Sequence, residues 1–211
     1  MSYLRQLRTH DSPLVSVIVV NHNRCALLAD CLGSLHRQYY RPFEVIVVDN
    51  GSQDGSVALI KDFPLLNVQV IENKINYGFC KANNQALTLC WGTYVALLNN
   101  DAVAEASWLT ELVNALENSP EFGMAASKVL AHNSHNIIDK LGHLIYLDGQ
   151  NRGRGSGEMD RGQYDRFEEV SWPDGCAAFY RRELLQQLGG FDEDFFAYAD
   201  DAELGLRARV A

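Results

Sequence analysis

Leu14-Val15-Ser16-Val17-Ile18-Val19-Val20, followed at once by Asn21-His22-Asn23-Arg24, decides the fold class. The run is short, β-branched and apolar without alternation, as expected of a strand buried on both faces. A helical pattern follows, with Leu28, Cys31, Leu32 and Leu35 on one face. The same unit then repeats. Phe43–Val48 ends at Asp49-Asn50-Gly51-Ser52, and Gln53–Phe63 is in helical register. Val68–Ile71 and a helix over Ala82–Leu89 come next. Tyr94–Leu98 then ends at Asn99-Asn100-Asp101, before an amphipathic helix over Glu105–Glu117. Strands and helices alternating through short links predict an α/β fold with a mostly parallel central sheet flanked by helices. The polar clusters all follow strand C-termini, the edge where open α/β sheets bind ligands.

The remainder is less periodic. Asp148–Glu169 is rich in Gly, Arg and Asp and reads as a long loop or lid. Its Gly153, Gly155 and Gly157 do not link a strand to a helix, so they make no dinucleotide fingerprint. An apolar pattern returns over Val170–Tyr180, around Pro173-Asp174-Gly175. Arg181–Leu188 reads as a helix stopped by Gly189-Gly190, and another helix starts near Leu204. The chain ends within that pattern, which predicts a C-terminal truncation.

The 211 residues are 47% hydrophobic and 21% charged, an ordinary globular balance. Lys plus Arg is 18 and Asp plus Glu is 27, a net charge of −9 that disfavours nucleic acid as a partner. No apolar run reaches membrane-spanning length, and the first residues lack the apolar stretch of a signal peptide. The expected location is cytoplasmic. The five cysteines have no CxxC spacing and predict reduced thiols.

Three strand-end or helix-start acids carry the candidate chemistry, each with a plainer reading. Asp49 suits the ring N–H of a pyrimidine base, or caps the next helix. Asp101 suits a divalent cation bridging a diphosphate, or is the N-cap of the following helix. Asp200-Asp201 suits a general base toward a hydroxyl, or simply begins a helix. The aromatics Phe195, Phe196 and Tyr198 favour a sugar site there. His132, His135 and His143 lack a shared frame and read as surface residues, whereas His22 sits beside the proposed nucleotide.

Together and in order, VSVIVVNHNR (15–24), EVIVVDNGSQDGS (44–56), NYGFCKANNQA (76–86), YVALLNND (94–101) and the segment Gly175–Ala208 resemble a family 2 glycosyltransferase of the GT-A fold. The flavour is that of its rhamnosyltransferase-like branch. The resemblance implies an extension over 1–12 and one domain over 13–211, with a nucleotide-binding half (13–101) and an acceptor and catalytic half (102–211). It implies that Val20, Asn21, His22 and Asn23 contact the nucleoside and that Asp49 reads the base. Asn76, Gly78 and Asn83 would close over base and ribose, and Asp174 and Gly175 would lie near the donor sugar.

Asn99-Asn100-Asp101 occupies the D-x-D position. Asn99 replaces the first acid, which leaves Asp101 as the main ligand for Mg²⁺ or Mn²⁺. Asp201 matches the catalytic base and Asp200 replaces the usual Glu. The implied reaction is inverting transfer from a UDP- or dTDP-sugar to a saccharide or lipid-linked acceptor, in bacterial cell-surface polysaccharide synthesis with peripheral membrane association. Arg152 and Arg154 would clamp phosphate from the loop. A sugar nucleotidyltransferase would want a Gly-rich loop after the first strand, where Asn21–Arg24 has none. A binding module without turnover is the other alternative.

Overall fold

A computed structural model describes residues 13–63 and 68–211, so the 1–12 extension lies outside the described residues. Its centre is a six-stranded sheet in the order β3-β2-β1-β4-β10-β5. Strands β1 (Val15–Asn21), β2 (Phe43–Asp49), β3 (Val68–Glu72) and β4 (Tyr94–Leu97) run parallel. β10 (Ala178–Arg181) is antiparallel to both β4 and β5 (Met124–Ala126). The register places Asn21 opposite Asp49 and Asp49 opposite Glu72. One edge of the sheet therefore gathers the polar strand ends that the sequence separates by more than twenty residues.

Side chains alternate across a strand, and both faces of β1 are covered. Val15, Val17 and Val19 pack with Leu28, Leu32 and Leu35 of α1 (Cys25–His36), Ile60 of α2 (Ser56–Asp62), and Leu109, Leu112 and Leu116 of α4 (Trp108–Glu117). Ile18, with Ile46 and Val48 of β2, faces the other way. It meets Cys80, Ala82 and Ala86 of α3 (Phe79–Leu87), Leu185 of α5 (Arg182–Leu188) and Leu204 of α6 (Asp200–Val210). Each fully buried valine contributes about 1.5–3 kcal/mol, so a polar substitution at Val17 would unseat two layers. No helix among the described residues is long and apolar enough to cross a membrane.

Two differences from the sequence reading matter. The 148–169 segment is not a free loop. β8 (His143–Ile145) pairs with β9 (Asn151–Gly153), Met159 bridges to Ile137 in β7 (Ser134–Lys140), and Lys128 holds Asp160 and Asp165. Helix α6 starts at Asp200, four residues before the apolar pattern at Leu204 becomes visible. Gly205 allows that helix its close approach, since a Cβ there would lie 2.4 Å from Cβ of the buried Trp172.

Candidate active site

The end of β1 is stitched to the loop after β2. Asp49 is 1% exposed. Its Oδ1 accepts the Ser52 N–H at 2.8 Å and its Oδ2 accepts the Asn21 side-chain amide at 2.9 Å. The next helix begins only at Ser56, so Asp49 tightens a turn and does not cap. A carboxylate has about four lone-pair sites, which leaves acceptor capacity beside these two bonds. Asn21 Oδ1 accepts in turn from Asn100 Nδ2 at 2.7 Å. His22 Nδ1 lies 2.9 Å from the Asn50 carbonyl, and the Asn23 N–H donates to Ser52 Oγ at 2.7 Å. Val20 is half-buried at the same edge, while the ring of His22 is exposed.

Asn50 carries this network outward. Its amide donates to Asn76 Oδ1 (3.2 Å) and to the Gly78 carbonyl (3.0 Å). Gly78 has φ of +85°, and a Cβ there would sit 2.4 Å from the Phe196 carbonyl oxygen. Only glycine fits this crossing. The neighbouring Phe79 N–H donates to that same Phe196 oxygen at 2.7 Å, which ties the 76–79 turn to the acidic segment. Asn83 is buried and donates to the Phe79 carbonyl at 2.9 Å, steadying α3 from within.

Asp101 is exposed, and its Oδ2 takes the Arg24 guanidinium at 2.6 Å. Helix α4 begins seven positions later, at Trp108, so Asp101 is not its N-cap. Among the described residues Asp101 Oδ1 has no hydrogen-bond partner, which fits one ligand to a divalent ion completed by phosphate and water. Asn99 N–H donates to the Cys176 carbonyl at 2.8 Å, joining the β4 end to the Asp174-Gly175-Cys176 turn.

That turn meets the start of α6. Asp174 Oδ1 accepts the Cys176 N–H at 2.9 Å, and Asp201 Oδ2 accepts the Gly175 N–H at 3.4 Å. Two successive left-handed residues, Tyr198 and Ala199, aim the first turn of α6, including Asp200 and Asp201. The structure corrects the reading of His143 as a surface residue. Its side chain is 16% exposed, with Nε2 3.1 Å from Asp174 Oδ2 and 3.6 Å from Asp201 Oδ2. One donor atom each from His143, Asp174 and Asp201 lie within 4.8 Å of one another, a set able to hold a metal ion. His132 and His135 remain exposed. Lys140 joins the group, with Nζ 3.1 Å from Asp174 Oδ2. Sequence spacing carried no signal for His143 or Lys140, because a three-strand detour brings them to Asp174.

Burial pushes the Asp174 carboxyl up. The His143 hydrogen bond, the Cys176 N–H and the Lys140 ammonium more than offset this and hold it at about 2. Asp200 moves the opposite way, raised by burial and then by the neighbouring Asp201. Adjacent acids thus sit in opposed environments, a frequent mark of acid–base sites. Arg152 and Arg154 do not reach this corner. Arg152 pairs with Asp148 and Arg154 with Glu168 on their own loop. A cleft of about 1380 Å³ opens beside α4, bordered by Trp108, Lys128, Phe167 and Trp172. It touches Asp101 but neither Asp49 nor Asp201, so the hydrogen-bond network, not volume, defines the site.

This arrangement defines an α/β fold with an acidic corner beside the ends of its parallel strands. The family description "Glycosyl transferase family 2" matches residues 16–189, and the chain belongs to that family. It is similar to "O-antigen biosynthesis protein RfbC" of Myxococcus xanthus, 32% identical over 93% of this chain and 16% of the relative. It is also similar to "Glucosyl-dolichyl phosphate glucuronosyltransferase" of Haloferax volcanii, 25% identical over 84% of this chain and 56% of that protein. The chain thus spans little more than half of one relative and a small part of the other. The solved mannosyltransferase PcManGT of Pyrobaculum calidifontis, in complex with GDP-Man and Mn²⁺, superimposes with a TM-score of 0.67. The two are 24% identical over 95% of this chain and 52% of that one, which shows the shared GT-A fold.

Proposed function

We propose that this domain binds a nucleoside diphosphate sugar and transfers the sugar, with inversion, to a hydroxyl of a saccharide or lipid-linked acceptor. One observation carries the reading. Hydrogen bonds run from Asp49 through Asn21 to Asn100, the chain neighbour of Asp101, and from Asn99 through Cys176 to Asp174, with Gly175 bonded to Asp201. Base recognition, diphosphate and acid–base chemistry then lie along one edge.

In this reading Asp49 accepts the pyrimidine ring N–H, with Val20, Asn21, His22 and Asn23 beside the nucleoside. Asn76 and Gly78 flank base and ribose, with Asn83 behind them. Asn99, Asn100 and Asp101 face the diphosphate. Asp101 would hold Mg²⁺ or Mn²⁺, whose charge stabilises the leaving diphosphate. Arg24 moves from Asp101 to phosphate as the donor enters. Asp174 and Gly175 border the donor sugar. Asp201 takes the acceptor proton, the acceptor oxygen bonds to the anomeric carbon, and the bond to phosphate breaks on the opposite face. Asp200, its carboxyl pushed up by burial and by the neighbouring Asp201, stands beside this base. UDP- and dTDP-sugars, dTDP-rhamnose among them, share the base edge that Asp49 reads. Bacterial surface polysaccharide assembly at the cytoplasmic membrane face is the setting we propose.

A thermal-shift screen of nucleoside diphosphates and nucleotide sugars, with and without Mn²⁺, tests this directly. UDP or dTDP is expected to raise the melting temperature more than purine diphosphates do, and Asp101→Ala to remove the Mn²⁺-dependent part. Stabilisation by UDP without release of nucleoside diphosphate from any nucleotide sugar would support a binding module instead.

A further inference from the structure

We infer that His143 is a positioning residue for Asp201, held in one orientation by Asp174, Lys140 and Trp172. The inference rests on the proposed role of Asp201 as base. The ring is fixed from every side. Its backbone N–H donates to the Trp172 carbonyl at 2.9 Å, and its carbonyl accepts the Ser171 N–H at 2.7 Å. The imidazole stacks on the Trp172 ring, 5.9 Å between centroids and 14° from parallel. Nδ1 is buried with no partner among the described residues, so Nε2 makes the ring's polar contacts. Asp174 is ionised near neutral pH and can only accept. Nε2 therefore bears the hydrogen, and its hydrogen bond goes to Asp174.

Asp201 Oδ2 stands 3.6 Å from the same nitrogen, beyond hydrogen-bond length but within strong electrostatic reach. Catalytic hydrogen bonds often tighten only in the substrate complex. The Gly175 N–H and the nearby His143 ring hold Asp201 Oδ2 inward, with the His143 N–H itself bonded to Asp174. Asp201 Oδ1 meanwhile receives the Ala202 N–H at 2.7 Å. The carboxylate is thereby locked in one rotamer, with its outer lone pairs turned toward the incoming hydroxyl.

Two features argue for this role over metal ligation by the same three residues. Lys140 places an ammonium 3.1 Å from the Asp174 oxygen that a cation would need. A metal-bound imidazole also almost always donates its second N–H to an acceptor, and Nδ1 here has none.

The test combines two substitutions with three measurements. His143→Phe keeps the stack on Trp172 without an N–H; His143→Gln restores an N–H near the Nε2 position. Release of nucleoside diphosphate is followed with UDP-glucose, UDP-GlcNAc, dTDP-rhamnose and GDP-mannose. For the donor that turns over fastest, kcat is expected to fall by roughly 10²-fold in His143→Phe, with KM for donor nearly unchanged. His143→Gln should recover most of that loss. A kcat in His143→Phe equal to wild type, while Asp201→Asn is inactive, overturns this inference alone. Activity retained in Asp201→Asn overturns the base assignment itself.

Two measurements need no turnover. Two-bond ¹H–¹⁵N spectra of labelled histidine, assigned by loss in His143→Gln, should show His143 as the Nε2–H tautomer, with its signals displaced in Asp201→Asn. The Nδ1–H tautomer, or no displacement, overturns the proposal. Calorimetric titration with Mn²⁺ alone should give the same affinity for wild type and His143→Phe. A tenfold or greater loss in the variant would make His143 a metal ligand instead.

Discussion

The rim at the parallel strand ends and the acidic corner are built in different ways. The rim comes from four parallel strand ends and the short turns after them. Its side chains are mostly amides, and each polar group is paired with a neighbour one strand away. The corner draws His143 from a hairpin, Asp174 from a turn and Asp201 from a helix start, and it holds charged groups at opposed settings. Amides resist pH and fix shape, which suits recognition. Half-buried acids pushed in opposite directions beside a histidine and a lysine suit acid–base chemistry.

Replacing the proposed base should separate the two regions most sharply. Asp201→Asn is expected to lower nucleoside diphosphate release by ~10²–10⁴-fold while UDP binding by calorimetry stays near wild type. Parallel loss of both would erase the division between rim and corner.

The converse substitution is Asp49→Ala. It removes the acceptor of the Ser52 N–H and one of the two acceptors of the Asn21 amide, the other being Ser52 Oγ, in a buried setting. Urea denaturation should show a loss of up to about 3 kcal/mol, accompanied by weaker preference for pyrimidine over purine diphosphates. Unchanged stability would mean that the rim is not the rigid scaffold described.

Asp174 sharpens the contrast through pH. Its carboxyl is held at about 2, below the ordinary value of 3.8. Such a group adds stability above the ordinary value and loses it as pH falls through the depressed one. Wild type should therefore exceed Asp174→Asn by about 2 kcal/mol near neutrality, with the gap closing between about pH 4 and pH 2. Urea midpoints at several pH values measure this, and a constant gap would show that packing, not charge, is responsible.

The smallest effect belongs to the exposed Arg24–Asp101 pair. Arg24→Ala should change stability by less than about 1 kcal/mol. Its larger consequence is expected in UDP affinity, read by calorimetry at low and high salt. Equal affinity in variant and wild type would limit Arg24 to a partner of Asp101.

The sequence alone determined the parallel core and the rim. β-branched runs such as Val15–Val20 specify buried strands locally, and a strand's end is marked by the first polar residues after it. Register then had to bring Asn21, Asp49 and Asn100 together, because one slip would turn every side chain to the wrong face. At Asp200 and Asp201 the same logic offered a helix start only as the plainer reading, since the apolar pattern becomes visible at Leu204. Only tertiary structure decided the rest. His143, through its bridge to Trp172, and Lys140, at the end of β7, reach Asp174 by contacts with no periodic trace in composition. Asp101 turned out to face Arg24 and not a helix, since a side chain's partner depends on what folds across from it.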